Sequence, residues 1–215
     1  MKFSCEKALL QAAINTASRA VASKSSIPAL EGLLLEARHG YLIVSGYNMQ
    51  LGIRSRFPAN IIEEGELVLN ARLFGDIIRK MPDDVIVFSA DDKLMVSVTC
   101  GDADFHILGL NAADFPELPD VEDDYICTVK QSVLKTMING TSFAVSTNES
   151  RIVHTGSLFE IGAGMLTVVS VDGFRLALRR EQYDKLEGGS FSFVAPGSAL
   201  NEVEKVCTDC DDGAM

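Results

Sequence analysis

The sequence of 215 residues is long enough for one large domain or for two domains of about 100 residues each. Its hydrophobic fraction of 47% and its charged fraction of 23% are ordinary for a folded protein. The formal net charge of -11 excludes a general coat for nucleic acid, although it permits a local basic face.

The composition favours neither a membrane nor a secreted location. No run approaches the ~18 apolar residues that cross a bilayer, and Lys7, Gln11 and Asn15 interrupt the apolar residues of the N-terminal segment. Most cysteines lie in apolar patterns, which suits reduced thiols in a cytoplasm. They are Cys5, Cys100, Cys127, Cys207 and Cys210. We therefore expect a cytoplasmic protein with no membrane partner.

The first half of the chain combines short strands with two helices. KFSCE (2–6) is typical of a strand, and residues 6–18 have helical periodicity. The apolar face of this helix is predicted to carry Leu9, Leu10, Ala13, Ile14 and Ala17, and its polar face Lys7, Gln11 and Asn15. Further strands are predicted at 30–37, 40–47, 50–57, 65–70, 84–90, 93–99 and 104–110, with a second helix at 71–80.

An acidic, proline-containing segment at 114–125 is predicted to separate two domains, 1–120 and 121–215. After it the chain repeats itself at an offset of 124 residues. Thirteen of the 35 positions from 10 to 44 are identical to their equivalents, where chance would give about two. A period of this length indicates a duplicated domain, not a solenoid.

The second copy is shorter than the first. ALNEVEKVC (199–207) aligns with LFGDIIRKM (73–81) after an insertion of two residues, but nothing follows to match the strands predicted at 84–110. A sheet without those strands would have open edges. We therefore expect the second domain to be incomplete and the natural protein to be longer. The element order predicts an α+β fold of duplicated domains, each with two β-α-β-β-β halves and with helices on one side of antiparallel sheets.

Sequence signatures of catalysis and metal binding are weak. The chain has neither a Gly-x-x-x-x-Gly-Lys-Ser/Thr loop nor a Gly-x-Ser-x-Gly elbow. EIGAGM (160–165) lacks a third glycine and is better explained as a hairpin turn. The three histidines lie on separate elements, and CTDC (207–210) has no second ligand pair. We expect no catalytic residue, no cofactor and no metal.

Cations are concentrated on or beside the predicted helices of this acidic chain. They belong either to solvated helix faces with ordinary charge pairs or to repeated helices that face a phosphate backbone. Phosphate contacts require no particular base sequence, so the second arrangement would act on any duplex. The cations are Lys7, Arg19, Lys24, Arg72, Arg79, Lys80, Lys130, Lys135 and Lys205.

Several segments in register resemble one known family. They are MKF (1–3), IPALEGLLLE (27–36), LNARLFGDIIRKMP (69–82), LNAADFPELP (110–119), SRIVHTGSLFE (150–160) and VDGFRLALRR (171–180). Over essentially its whole length the chain is similar to the bacterial sliding clamps, the beta subunits of the replicative DNA polymerase III. The resemblance implies three clamp domains in the full protein, of which this chain holds the first and most of the second.

The resemblance also implies a non-enzymatic processivity factor for DNA replication. Two copies would close head to tail into a homodimer ring around double-stranded DNA and tether the DNA polymerase III catalytic subunit. An ATP-driven clamp loader would open the ring, and other polymerases and repair proteins would bind it through clamp-binding peptides. The positions that match family DNA contacts are Lys24, Arg72, Asn148, Ile152 and Val153. Some relatives have aromatic residues at the last two positions, which could stack on a base as Ile and Val cannot.

SVDGFRLALRR (170–180) matches a stretch that lines a peptide-binding pocket in the family. The matching positions are Arg151, His154, Val171, Gly173, Phe174, Arg175 and Leu176. Their apolar side chains offer contact area, and the two arginines can bind carbonyls or an acidic residue. Relatives often have Thr at 171 and His at 174. The first copy has YNMQLG (47–52) here, without Asp-Gly or Arg, a difference that a simple hairpin bend would not need.

Two other functions are compatible with the residues. The chain could be a duplicated peptide-binding scaffold without DNA contact, which charge reversal at Lys24 and Arg72 would leave unaffected. It could also be a small-molecule hydrolase that uses Asp172 and Arg175, in which case Asp172→Asn would abolish turnover.

Overall fold

The structure is a computed structural model that describes residues 1–119 and 124–208. The chain forms two compact units, Met1–Pro119 and Asp120–Met215, and each unit has its own sheets and its own apolar core. Within the described ranges, no helix is both long and apolar enough to cross a membrane.

Unit 1 consists of two antiparallel sheets and two α-helices. One sheet has the strand order β5-β1-β7-β8-β9, and the other has the order β4-β3-β2-β6. The elements are β1 (Lys2–Glu6), α1 (Lys7–Ala17), β2 (Gly32–Arg38), β3 (Tyr41–Tyr47), β4 (Gly52–Pro58), β5 (Asn60–Glu63), β6 (Gly65–Asn70), α2 (Ala71–Lys80), β7 (Val85–Ala90), β8 (Met95–Cys100) and β9 (Ala103–Leu108). The predicted α+β class with antiparallel sheets is confirmed.

Strand β5 is the one strand of unit 1 that the sequence pattern did not predict. It has four residues, NIIE, and it pairs antiparallel with β1 at the edge of the sheet. Four residues are too few to show an alternation of apolar and polar side chains. The register with β1, not the local pattern, defines this strand.

Helix α1 differs from its prediction at two positions. Leu10, Ile14 and Ala17 are buried as expected, but Leu9 is 39% exposed because it lies at the margin of this stripe. Lys7 was predicted on the polar face and is in fact buried. Its Nζ donates to the Met81 carbonyl at 2.6 Å, and this hydrogen bond makes the burial of an ammonium group tolerable.

Helix α2 begins at a side-chain cap and buries one face. The Asn70 Oδ1 accepts a hydrogen bond from the Leu73 N–H at 3.0 Å, which satisfies a backbone donor in the first turn. Phe74 and Ile78 are fully buried in the core of unit 1. The Phe74 ring meets the Phe88 ring edge to face at 6.3 Å, and Phe88 stacks on Phe3 at 4.6 Å. The strands of one sheet thus hold the helix in place.

Unit 2 repeats much of this arrangement. A four-stranded antiparallel sheet has the order β13-β12-β11-β15, and β10 pairs with β14 in a second, two-stranded sheet. The elements are β10 (Ile126–Thr128), α3 (Gln131–Asn139), β11 (Gly156–Gly162), β12 (Met165–Val171), β13 (Leu176–Gln182), β14 (Lys185–Glu187), β15 (Phe191–Pro196) and α4 (Gly197–Val206).

The internal repeat is confirmed element by element. Strands β11, β12 and β13 begin and end 124 residues after β2, β3 and β4. Helix α4 follows α2 by 126 residues, which is the predicted insertion of two. The EIGAGM segment forms the predicted hairpin turn, because Ala163 and Gly164 have positive φ values of 51° and 81°, as His39 and Gly40 do with 51° and 78°.

The two units differ in what covers their sheets. Strand β1 pairs with both β5 and β7, whereas β10 pairs with β14 alone among the described strands. Phe193 on β15 is 46% exposed, while Leu67 at the equivalent place on β6 is 1% exposed. In unit 1 the face of Leu67 packs into a core that includes residues of β7 and β8, and the described part of unit 2 has no counterpart of those strands.

Candidate functional site

An open cavity of about 590 Å³ lies in unit 2. Its lining comes from the segment between α3 and β11 and from the turn between β12 and β13. Predicted site residues in the lining are Asn148, Arg151, His154, Gly173, Phe174 and Arg175. Five of the seven positions predicted for a peptide pocket therefore border one concavity, and Asn148, predicted as a DNA contact, borders it too.

The turn between β12 and β13 is built around the Asp172 carboxylate. Its Oδ1 accepts hydrogen bonds from the N–H groups of Phe174 at 3.0 Å and Arg175 at 3.1 Å. Its Oδ2 accepts from the Arg175 Nε at 2.8 Å. Gly173, with a φ of 93°, occupies the left-handed position that the turn requires. One side chain thus fixes both the backbone of the turn and the arginine that follows.

These contacts stabilise the charged form of Asp172. The hydrogen bond from the Phe174 N–H lowers the pKa of this carboxyl most, against a smaller opposing effect of desolvation, and Arg175 lowers it further. A carboxylate with three donors and a lowered pKa is a poor general base at neutral pH. The geometry therefore disfavours the hydrolase interpretation of Asp172 and Arg175.

The first copy forms the same turn without a carboxylate. The Asn48 Oδ1 accepts from the N–H groups of Gln50 at 3.0 Å and Leu51 at 2.8 Å, and Met49 has a φ of 71°. The bend therefore forms without Asp-Gly or Arg, which agrees with the expectation that a simple hairpin bend does not need them. Both sequences satisfy the backbone of the bend, and the difference lies in the side chain of Arg175.

Arg175 has a second neighbour that the sequence did not reveal. Its guanidinium carbon lies 5.7 Å from the centre of the Phe143 ring, within the range of a cation–π contact. Phe143 belongs to a single helical turn, Ser142–Ala144, and is largely exposed. The adjacent Phe174 side chain is 100% exposed. Two aromatic rings and a guanidinium are thus available to a ligand beside the cavity.

Part of the cavity lining comes from an irregular helical turn, Glu149–Thr155. Asn148 caps it, because the Asn148 Oδ1 accepts from the Ser150 N–H at 2.9 Å. The turn breaks at Arg151, whose φ of -130° and ψ of 78° are not helical. The Ser146 N–H donates to the His154 carbonyl at 2.8 Å and closes the loop. These contacts hold Arg151 and His154 on one wall.

Four of the site residues predicted in unit 2 do not line the cavity. Val171 and Leu176 pair with each other where β12 ends and β13 begins, so they flank the turn. Ile152 and Val153 are strongly exposed on the helical turn. The exposed side chains of Leu176, Ile152 and Val153 extend the contact surface beyond the cavity itself.

Unit 1 has a groove of about 600 Å³ between α1, the loop after it and α2. Arg72 lines this groove beside Asp76 and Arg79, and Ser23 lines it from the loop. Lys24 follows Ser23 and is exposed. Both predicted DNA contacts of unit 1 therefore lie at or beside the same groove.

The helix-associated cations differ in their surroundings. Arg79 forms an ion pair with Asp76, and the Lys205 Nζ contacts the Glu202 carboxylate at 2.6 Å, as ordinary helix faces do. Lys7 is buried and cannot meet a phosphate, which corrects its assignment to a basic face. Lys24 and Arg72 have no ion-pair partner among the residues that the structure describes. These two cations are thus available to a ligand.

Comparison with known proteins identifies the family. Residues 1–119 match the DNA polymerase III beta subunit, N-terminal domain, and residues 128–214 match its central domain. The chain belongs to the DNA polymerase III beta subunit family. The beta sliding clamp of Halalkalibacterium halodurans is 32% identical over 222 residues, which cover 99% of this chain and 58% of that protein. The beta sliding clamp of Bacillus subtilis is 31% identical over 217 residues, which cover 97% and 57%.

Solved structures of beta subunits have the same fold. A putative DNA polymerase III beta subunit from Eubacterium rectale aligns with a TM-score of 0.91 at 32% identity, over 100% of this chain and 58% of that one. The sliding clamp of Bacillus subtilis aligns with a TM-score of 0.92 at 30% identity over the same shares. The chain thus spans somewhat more than half the length of these beta subunits.

Three cysteines of the described residues, Cys5, Cys127 and Cys207, lie in environments that favour the neutral thiol. Burial raises the pKa of the Cys5 thiol to about 12 and also raises the pKa values of Cys127 and Cys207. The described residues contain no group of three metal-ligating side chains. Cys210, the second thiol of CTDC, lies outside the described residues, so the expectation that this segment binds no metal stays a prediction.

Proposed function

We propose that this chain is part of a DNA sliding clamp, a processivity factor that encircles duplex DNA and tethers a polymerase. The observation that carries the proposal is the family match over both units, 1–119 and 128–214. Duplication supports it, since repeated units that carry helices can present similar faces along a duplex. In this role the protein performs no chemistry of its own.

The DNA interface proposed for unit 1 is the groove that Arg72 lines and Lys24 borders. Exposed cations contact phosphates without reading bases, so their contribution is the same at every base pair. The net charge of -11 repels phosphate from most of the surface. A few weak contacts on an acidic body permit movement along DNA, whereas many strong ones would hold the protein in place.

The DNA contacts proposed for unit 2 are Asn148, Ile152 and Val153. Asn148 has an amide that can donate to phosphate, although its Oδ1 already caps the helical turn. Ile152 and Val153 offer exposed apolar area without an aromatic ring. Unit 2 therefore contributes contact surface more than charge.

The peptide site proposed for unit 2 is the cavity with Arg151, His154, Gly173, Phe174 and Arg175, extended by Val171 and Leu176. Apolar anchors beside a fixed guanidinium suit a short peptide that combines large apolar residues with carbonyl or carboxylate acceptors. Occupants would be the DNA polymerase III catalytic subunit, the clamp loader, and other polymerases and repair proteins.

A head-to-tail homodimer with three clamp domains per chain is proposed for the full protein, which would act in the cytoplasm. Strand β9 of unit 1 supports the assembly, because it is an edge strand with large apolar side chains exposed at Phe105 and Leu108. An unpaired edge of this kind pairs readily with a strand of another chain.

The test of the DNA interface is charge reversal of the two unpaired cations. We expect Lys24→Glu with Arg72→Glu to reduce retention on nicked circular DNA at least about tenfold, since two attractive contacts become repulsive. Retention is measured by gel filtration of complexes assembled by the clamp loader with ATP, at several salt concentrations.

The matched control is Arg54→Glu with Lys93→Glu, which changes the net charge equally at exposed positions of β4 and the β7–β8 turn. This control should keep most of the retention, and both double variants should bind a clamp-binding peptide normally. Equal retention by both double variants and the unmodified protein would support the peptide scaffold without DNA contact.

A further inference from the structure

The turn at Asp172 performs two tasks, and the duplication separates them. In both copies an Asx side chain accepts two backbone N–H groups, and in both its own N–H donates to the carbonyl three residues later, at 3.2 Å from Asn48 to Leu51 and 3.3 Å from Asp172 to Arg175. An amide oxygen therefore forms this turn as well as a carboxylate oxygen does. The backbone does not explain why position 172 carries a charge.

The second oxygen of Asp172 has a partner that the first copy lacks. Oδ2 accepts from the Arg175 Nε at 2.8 Å, and the residue equivalent to Arg175 is Leu51. An asparagine at 172 whose Oδ1 caps the backbone would place its NH₂ group against the Nε–H. Two donors would then face each other, so only a carboxylate can serve both the turn and the arginine.

The contacts of Arg175 leave part of its guanidinium group free. Asp172 holds the Nε edge, and the guanidinium carbon lies 5.7 Å from the Phe143 ring centre. The terminal Nη groups have no acceptor among the described residues, and Arg175 lines the cavity. A guanidinium held in this way presents two donors in a fixed fork.

We propose that Asp172 is a positioning residue of the peptide site, which orients the Arg175 guanidinium so that its Nη groups bind a carbonyl or carboxylate of the incoming peptide. The inference rests on the proposed function of the cavity. It adds Asp172 as the residue that fixes the Arg175 guanidinium before the peptide binds. Pre-ordering one long side chain improves affinity about threefold to tenfold, because its rotamer entropy is already lost before binding.

A double-mutant cycle tests the proposal. Asp172→Asn, Arg175→Ala and the double variant are titrated against a fluorescein-labelled peptide with the clamp-binding segment of the cognate polymerase catalytic subunit. We expect Asp172→Asn to weaken binding about threefold to tenfold in the presence of Arg175 and to have no effect in the Arg175→Ala background. The melting temperature should fall only slightly, because Asn48 shows that an amide forms the same backbone turn and because the lost Asp172–Arg175 ion pair lies at the surface.

Two further variants make the test decisive. Arg175→Lys keeps the charge but removes the Nε and the fork, so it should weaken binding as Asp172→Asn does, even if the latter folds poorly. Asn48→Asp introduces a carboxylate into the equivalent turn, which has no arginine, and should leave binding unchanged. The inference is overturned if Asp172→Asn or Arg175→Lys binds the peptide with wild-type affinity. It is also overturned if Asp172→Asn loses the same affinity with and without Arg175. Neither outcome contradicts the proposed function of the cavity. Absence of peptide binding by the unmodified protein contradicts the proposed function as well.

Discussion

Lys7 is a charged side chain with a structural role. Its Nζ donates to the Met81 carbonyl at 2.6 Å and to the Asp83 Oδ1 at 2.7 Å, so it connects the first turn of α1 to the segment between α2 and β7. The two partners are not equivalent. The Asp83 side chain is 95% exposed, so water can replace Lys7 as its hydrogen-bond partner. The hydrogen bond from Lys7 to the Met81 carbonyl is buried, so water cannot replace it there.

This asymmetry predicts different costs for the two substitutions. Lys7→Met should reduce the free energy of unfolding by roughly 1–3 kcal/mol, because the buried Met81 carbonyl loses its donor. Asp83→Asn should change it by less than about 0.5 kcal/mol, as expected for an exposed ion pair. Urea unfolding followed by circular dichroism measures both. A larger loss from Asp83→Asn than from Lys7→Met would show that the ion pair, not the carbonyl contact, stabilises this corner.

At the scale of elements, equivalent turns of the two units differ in backbone strain. Met49 has a φ of 71° and Gly173 has a φ of 93°, and both follow the Asx residue of the same turn. This left-handed region costs a residue with a Cβ about 1–2 kcal/mol, and glycine avoids that cost. A Cβ at Gly173 would meet no atom within 4 Å, so strain is the only obstacle there.

Reciprocal substitutions should therefore have opposite effects. Met49→Gly should stabilise unit 1, and Gly173→Ala should destabilise unit 2, each by roughly 0.5–1 kcal/mol after the entropy of glycine in the unfolded chain is counted. Thermal and urea unfolding of both variants test the prediction. Shifts of the same sign would indicate that local packing outweighs backbone conformation in these turns.

The sequence predicted the long elements well because they obey local rules. The repeat placed β11, β12 and β13 correctly, and it located α4 with its insertion of two residues. Strand β5 was not predicted because four residues carry no usable period. Lys7 was wrongly predicted on the polar face because helical periodicity cannot show that its ammonium group reaches the Met81 carbonyl.

The site was predictable only in part for the same reason. The family resemblance supplied most of the cavity residues, but not the contact of Arg175 with Phe143, which lie 32 residues apart. Comparison of the two copies offers one signal for this contact. Both of its residues differ from their equivalents, because Arg175 stands in place of Leu51 and Phe143 in place of Arg19. The capping role of Asn148 depends on a loop conformation that no sequence period encodes.

At the scale of the whole molecule, the proposed clamp function requires enclosure of the DNA more than affinity for it. Acidic residues outnumber basic ones by 30 to 19, and among the described residues the DNA interface proposed for unit 1 has only two unpaired cations, Lys24 and Arg72. Contacts this few are screened at physiological salt and cannot by themselves hold a protein on DNA for long. A closed ring would supply the retention that the charges do not.

The most direct test of this claim is the residence time of the protein on a circle before and after the circle is cut. The protein is loaded on singly nicked plasmid DNA by its clamp loader with ATP, and bound protein is followed by gel filtration after addition of a restriction enzyme that cuts once. We predict that the protein stays on the uncut circle at moderate salt and leaves quickly after linearisation. Equal, salt-sensitive release from circular and linear DNA would contradict encirclement.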